Sequence, residues 1–155
     1  MKRIIFSALI LTLCLTLSAP ALAEEKATKQ ECVVMAKAAA AMLLKDGPEA
    51  TFAKINDPKG PFVWKDSYVL AFRIDDGVVM AHPMKRKLVG KDLKSMKDIN
   101  GVMFVMEFLN RAKLEGDGWT EYMWPKPGEK KPSRKNTYCY RVPGTNYLML
   151  AGVYE

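Results

Sequence analysis

One histidine, three cysteines and a single long apolar run leave this 155-residue chain few chemistries to perform. The cysteines, Cys14, Cys32 and Cys139, show neither zinc-ligand spacing with His82 nor a C-x-x-C-H context, so a structural zinc and covalent c-type haem are both excluded. The chain also lacks G-x-S-x-G, H-E-x-x-H and a phosphate-cradling glycine loop. The Gly-Asp-Gly at 116–118 reads as a helix-to-strand turn. Cys139 and His82 could be paired as nucleophile and base, but no orienting motif surrounds them. No catalytic residue, metal or cofactor is therefore expected. Acidic residues are the scarcer charge, 17 against 24 Lys and Arg. After the first segment no stretch is apolar enough to span a bilayer; Met35 to Leu44 is only ten residues, alanine-heavy, and reads as a packed helix.

The long apolar run stands at the start. Lys2 and Arg3 precede Ile4 to Leu17, and Ala21-Leu22-Ala23 forms a small-x-small cleavage site before Glu24. Residues 1–23 thus read as a bacterial secretory signal peptide, the weaker rival being a retained anchor. Residues 24–155 are enough for one domain with its own core. Cleavage removes Lys2 and Arg3 and no acid, so the formal net charge falls from +7 to +5. In the periplasm that excess argues for an anionic ligand or surface and against nucleic acid. Cys32 and Cys139 then form an even pair in an oxidising compartment, where a disulfide is the default and two separately buried thiols the alternative.

Thr28 to Glu31 has the capping-box pattern, and Cys32, Ala36, Ala39 and Leu43 recur at helical spacing up to Gly47. The small-residue face would let this helix lie close on a sheet, with Cys32 facing inward towards a strand that carries Cys139. Pro48 starts a shorter helix to Ile55. Ser67 to Ile74 and Val78 to His82 form a hairpin around Asp75-Asp76-Gly77. A third helix is expected from a cap at Asp98 or Asn100, carrying Met103, Phe104, Met106, Phe108 and Leu109 and closing at Gly116 to Gly118, then strands at 119–124, 137–142 and 147–154, the first two joined by a long loop over 125–136. The order predicts an α+β fold: one antiparallel sheet of about five strands backed by the long N-terminal helix.

The hairpin and basic loop at 64–93, with NDPKGPFV before it, GDGWTEYMWPKP after it and RVPGTNYLMLAGVYE at the end, resemble the single Cache domains, PAS-like extracytoplasmic sensory modules of bacteria. The resemblance covers nearly all of residues 24–155. It implies a sensory role and a short organic acid or similar metabolite as ligand. Members are usually flanked by two membrane helices and followed by a signalling domain. The chain departs from that arrangement at Glu155, so the expectation is a soluble binding protein that acts alone or informs a membrane receptor or kinase. A ligand-free interaction module is the alternative.

His82, at a strand exit beside a cationic loop, is placed by alternation on the face of Val78 and Met80, where its imidazole could donate at the rim of an apolar cavity. Trp64, Tyr68, Trp119 and Tyr122 are the aromatics with a polar handle expected to join it. Lys85, Arg86, Lys87, Lys91, Lys126, Lys130, Lys131 and Arg134 read mostly as solvated loop charges. Lys135 stands apart as the candidate for a carboxylate because a strand follows it directly. Arg73, on the face of Val69 and Ala71, either reaches solvent or meets a buried anion.

Overall fold

The structure is a computed structural model and describes residues 25–155; the signal peptide expected over 1–23 lies outside the described residues. Helix α1 (Lys29–Asp46) begins with a complete capping box: Thr28 Oγ1 accepts from the Glu31 N–H at 3.2 Å, and Glu31 Oε2 accepts from the Thr28 N–H at 2.7 Å. It stops at Gly47, whose φ of 85° a glycine adopts without strain, and Pro48 opens α2 (Pro48–Ile55). Strands β1 (Val63–Trp64), β2 (Ser67–Arg73) and β3 (Val79–Ala81) follow. A 3-10 turn at Arg86–Leu88 leads to α3 (Phe104–Leu114), then to β4 (Asp117–Pro125), β5 (Pro132–Arg141) and β6 (Tyr147–Tyr154). No helix among the described residues is long and apolar enough to cross a membrane.

The strands make one antiparallel sheet in the order β1-β2-β6-β5-β4, with β3 also pairing with β2. The expected fold class is the one observed, with β1 as a sixth strand that two residues were too few to announce. The central strand β2 is buried on both faces. Val69 and Ala71 face the α1–α2 layer together with Tyr138, Met149 and Ala151, while Leu70 and Phe72 face α3 together with Leu148 and Leu150. Cys32, Ala36, Ala39, Ala40 and Leu43 are the buried positions of α1.

Three expectations need correcting. The loop between β4 and β5 is 126–131, because both strands run on to the Pro125–Pro132 pair. Those prolines occupy strand ends, where a missing N–H costs the ladder nothing. Asp98 does not cap α3, whose N-cap is Met103. Its carboxylate accepts from the N–H groups of Asn100, Val102 and Met123 at 2.8 to 2.9 Å, and so also covers part of the β4 edge. Finally, Cys32 and Cys139 do not form a disulfide. Cys139 lies between Tyr138 and Tyr140, which point towards α1, so strand alternation sends its own side chain to the opposite face, into the α3 core. Burial pushes the Cys32 thiol up to about 11 and the Cys139 thiol up to about 12. They are packing residues in separate cores and poor nucleophiles.

Candidate functional site

The sheet face that receives α3 encloses an apolar cavity. Tyr68, Leu70 and Phe72 of β2 line one wall, Phe104 and Phe108 of α3 another, and Tyr122 and Trp124 of β4 a third. His82 and, from the loop after it, Leu88 and Leu93 close the space. The free volume is about 10 Å³, room for about one water. The walls are interlocked: Phe104 stacks on Tyr122 with centroids 4.4 Å apart and planes at 10°.

His82 reaches this face through a β-bulge. Ala71 pairs with Ala81 but Phe72 pairs with Val79, so Met80 has no partner of its own and the alternation slips by one. His82 therefore joins Val79 and Phe72, and not Val78 and Met80 as simple alternation predicts. It is 2% exposed. Its N–H donates to Asn56 Oδ1 at 3.0 Å, at the end of α2, and its Nδ1 accepts from the Lys85 N–H at 3.2 Å. Burial, then the charges of Lys135 and Lys85, push its pKa down to about 3. The imidazole is neutral, and with Nδ1 accepting, the proton sits on Nε2 as a donor.

Lys135 is wholly buried. It stands mid-strand in β5 between Tyr122 of β4 and Tyr154 of β6. Its Nζ lies 4.1 Å from the ring centroid of Tyr68 and 4.7 Å from that of Tyr154, with no hydrogen-bond partner among the described residues. Two cation–π contacts recover part of its hydration, but an ammonium without an anion is a costly thing to bury. The backbone is shaped to admit it. A Cβ on Gly152, across the β5–β6 pair, would stand 2.7 Å from Lys135 Cε and collide with Thr137 Oγ1, so only glycine leaves the lysine stem its path. Thr137 Oγ1 donates to the Tyr122 hydroxyl at 3.3 Å, and the Tyr154 hydroxyl donates to the Pro125 carbonyl at 3.0 Å. Burial raises the pKa of both phenols well above the ordinary tyrosine value, so each stays a neutral hydroxyl.

Tyr68, His82, Tyr122 and Lys135 are thus brought together. Trp64 and Trp119 are not: both pack on the α1 side of the sheet, where Lys29 Nζ sits 5.2 Å from the Trp119 ring centroid. Trp124, Phe104 and Phe108 were missed, and for Trp124 the signal was available, since it shares the parity of Tyr122 on one strand. Arg73 takes the solvent option, its guanidinium paired with Asp76 at 2.6 Å in the hairpin turn. Among the described residues no three His, Cys, Asp or Glu side chains converge as a metal site requires. What the geometry offers is an apolar space lined by one neutral imidazole and tyrosine hydroxyls, with no carboxylate in its lining, and one cation, Lys135, packed against the Tyr68 ring that forms part of its wall.

A family model described as a Cache domain matches residues 61–155. The chain belongs to the Cache domain family. Over 76 residues, 49% of its length, it is 30% identical to methyl-accepting chemotaxis protein McpP of Pseudomonas putida, and it spans only 14% of that receptor. A Cache chemosensory domain solved for its recognition of carboxylic acids superposes with a TM-score of 0.72 at 22% identity, covering 81% of this chain and 91% of that one. A methyl-accepting chemotaxis protein from Vibrio parahaemolyticus superposes with a TM-score of 0.69 at 22% identity, covering 81% and 87%. At that identity the two superpositions establish a common fold.

Proposed function

We propose that this Cache domain is a periplasmic sensor that binds a small organic monoanion, a short carboxylic acid, in the cavity lined by Tyr68, His82 and Tyr122, with Lys135 against the Tyr68 ring as its cation. The observation that carries the reading is the buried, unpartnered Lys135 ammonium. A carboxylate beside it would receive a charge-assisted hydrogen bond from Nζ, and His82 Nε2–H is the second donor at the same wall. The charge count sets the class. A neutral imidazole and no acid in the lining, with one cation against its Tyr68 wall, suit a single negative charge, and offer nothing to the ammonium of an amino acid or to a second carboxylate. Carboxylic acid recognition by a domain of the same fold supports this choice.

Residues 1–23 would export the chain as a cleaved leader, and the bound state would be read by a chemoreceptor or kinase in the membrane. The site has a cation but no activated nucleophile, so the role is binding and not turnover.

The free volume of about 10 Å³ favours a second reading, a ligand-free interaction module whose pocket is filled by its own side chains. Binding in the first reading requires the wall at Tyr68 or Leu88 to yield. A thermal-shift titration separates the two. Acetate or propionate should raise the melting temperature while alanine and succinate do not, the stabilisation reaching about 2.7 kcal/mol at 100 times the dissociation constant. No shift with any short monocarboxylate at tens of millimolar transfers the case to the ligand-free reading.

A further inference from the structure

On the solvent side of Tyr68 lies a second, roomier space. Tyr68 forms a wall of both, but where the inner cavity has about 10 Å³ free the outer cleft has about 220 Å³. The cleft lies between Met84 and Lys85 on one side and the β4–β5 turn from Pro125 to Glu129 on the other. We propose that this cleft is a separate anion-accepting subsite, in which Lys85 and Lys126 hold a carboxylate against Tyr68 before it enters the inner cavity.

Both lysines are half-buried and have no carboxylate partner among the described residues. Their placement is fixed. Lys85 Nζ lies 5.1 Å from the Trp124 ring centroid, and its backbone N–H is the one bonded to His82 Nδ1. Lys126 stands between Pro125 and Pro127 in a turn closed by the Glu129 N–H to the Lys126 carbonyl at 3.0 Å, with Gly128 at a φ of 79°. Pro125 in turn accepts the Tyr154 hydroxyl beneath Lys135. One short path of fixed groups thus leads from the cleft lysines to the inner cation. Glu129, the one acid in the cleft lining, is exposed and opposed by Lys130 and Lys131 beside it, while Arg86 and Lys87 extend the positive field on the other side. An anion drawn by that field meets the cleft first, and sheds its water there in a preformed space before the tighter one opens.

The subsite extends the proposed ligand reading, but its test does not need the inner cavity to be filled. With Trp64→Phe and Trp119→Phe in the full protein, Trp124 becomes the sole emitter. At constant ionic strength iodide should quench it, and Lys85→Gln with Lys126→Gln should lower the iodide quenching constant at least threefold while leaving quenching by neutral acrylamide unchanged. A remote pair, Lys45→Gln with Lys113→Gln, and the inner change Lys135→Met should each leave the iodide constant within about twofold. An iodide constant that survives loss of both cleft lysines, or that falls as far with Lys135→Met or the remote pair, overturns the subsite. Should the tryptophan background fail to fold, amide spectra of the Lys135→Met protein give the same answer: acetate should shift the Lys85, Lys126 and Gly128 resonances, and unmoved resonances overturn it. Acetate stabilisation of the unaltered protein is read separately, so a failed subsite and a failed inner site produce different results.

Discussion

The two faces of the sheet are built to opposite specifications. Towards α1 and α2 the centre of the contact is made by small apolar groups, Ala36, Ala39, Ala40, Ala71, Ala81 and Ala151, all essentially without exposure, with larger side chains such as Phe52, Tyr138 and Trp119 around them. Towards α3 the residues are large and aromatic, a free space survives with His82 in its lining, and Lys135 is buried beside its Tyr68 wall. Dense packing of small side chains is what stability asks for. A buried cation without a partner is what stability forbids and a binding site tolerates. Under the proposed reading, one face holds the fold and the other receives the anion.

The largest effect should follow from breaking the first face. Ala151→Leu, which drives three extra carbons between β6 and α1, should cost about 3 kcal/mol, measured as a fall in urea midpoint. An unchanged midpoint would mean that α1 is not seated as tightly as the alanines indicate.

Next comes pH, which probes the second face through His82. Its folded pKa, about 3, lies below the unfolded 6.5. The unfolded chain therefore takes up the proton first, and the stability contributed by the neutral imidazole is present above pH 6.5 and lost as pH falls. Each pH unit below 6.5 should cost about 1.4 kcal/mol, some 2 kcal/mol by pH 5, above the range where the low-held Asp76 and Asp98 begin to lose theirs. In His82→Gln this slope between pH 6.5 and 5 should vanish, whatever its stability at neutral pH. A slope as steep as in the unaltered protein would place the titrating group elsewhere.

The smallest effect concerns the cysteines. With Cys32 and Cys139 in different cores, adding reductant should leave the melting temperature unchanged. Non-reducing mass spectrometry should find two free thiols in the region after residue 24, and a mass two hydrogens lighter would contradict the sheet geometry.

Local signals carried most of the fold. The Thr28–Glu31 box, the Gly47-Pro48 break, the Asp75-Asp76-Gly77 turn and the β-rich run of β6 each act within a few residues, and each lies where the sequence pattern put it. Choice of face was harder to read, because it depends on strand register and on bulges. Met80 shifts His82 by one position, Trp119 has the parity opposite to Tyr122, and Cys139 points away from the helix that covers its neighbours. Lys135 was singled out for standing before a strand, whereas it lies within one; what makes it notable is the tertiary fact that Gly152 opens its path. No spacing in the sequence encodes that contact.

The central claim is that Lys135 is kept for an anion and not for the fold, and Lys135→Met tests it directly through the melting temperature with and without acetate. The account predicts that the ligand-free variant is more stable than the unaltered protein, by about 1 kcal/mol or more once an unpaired buried charge is removed, and that acetate no longer raises its melting temperature. A variant that is less stable without ligand and still responds to acetate like the unaltered protein would contradict it.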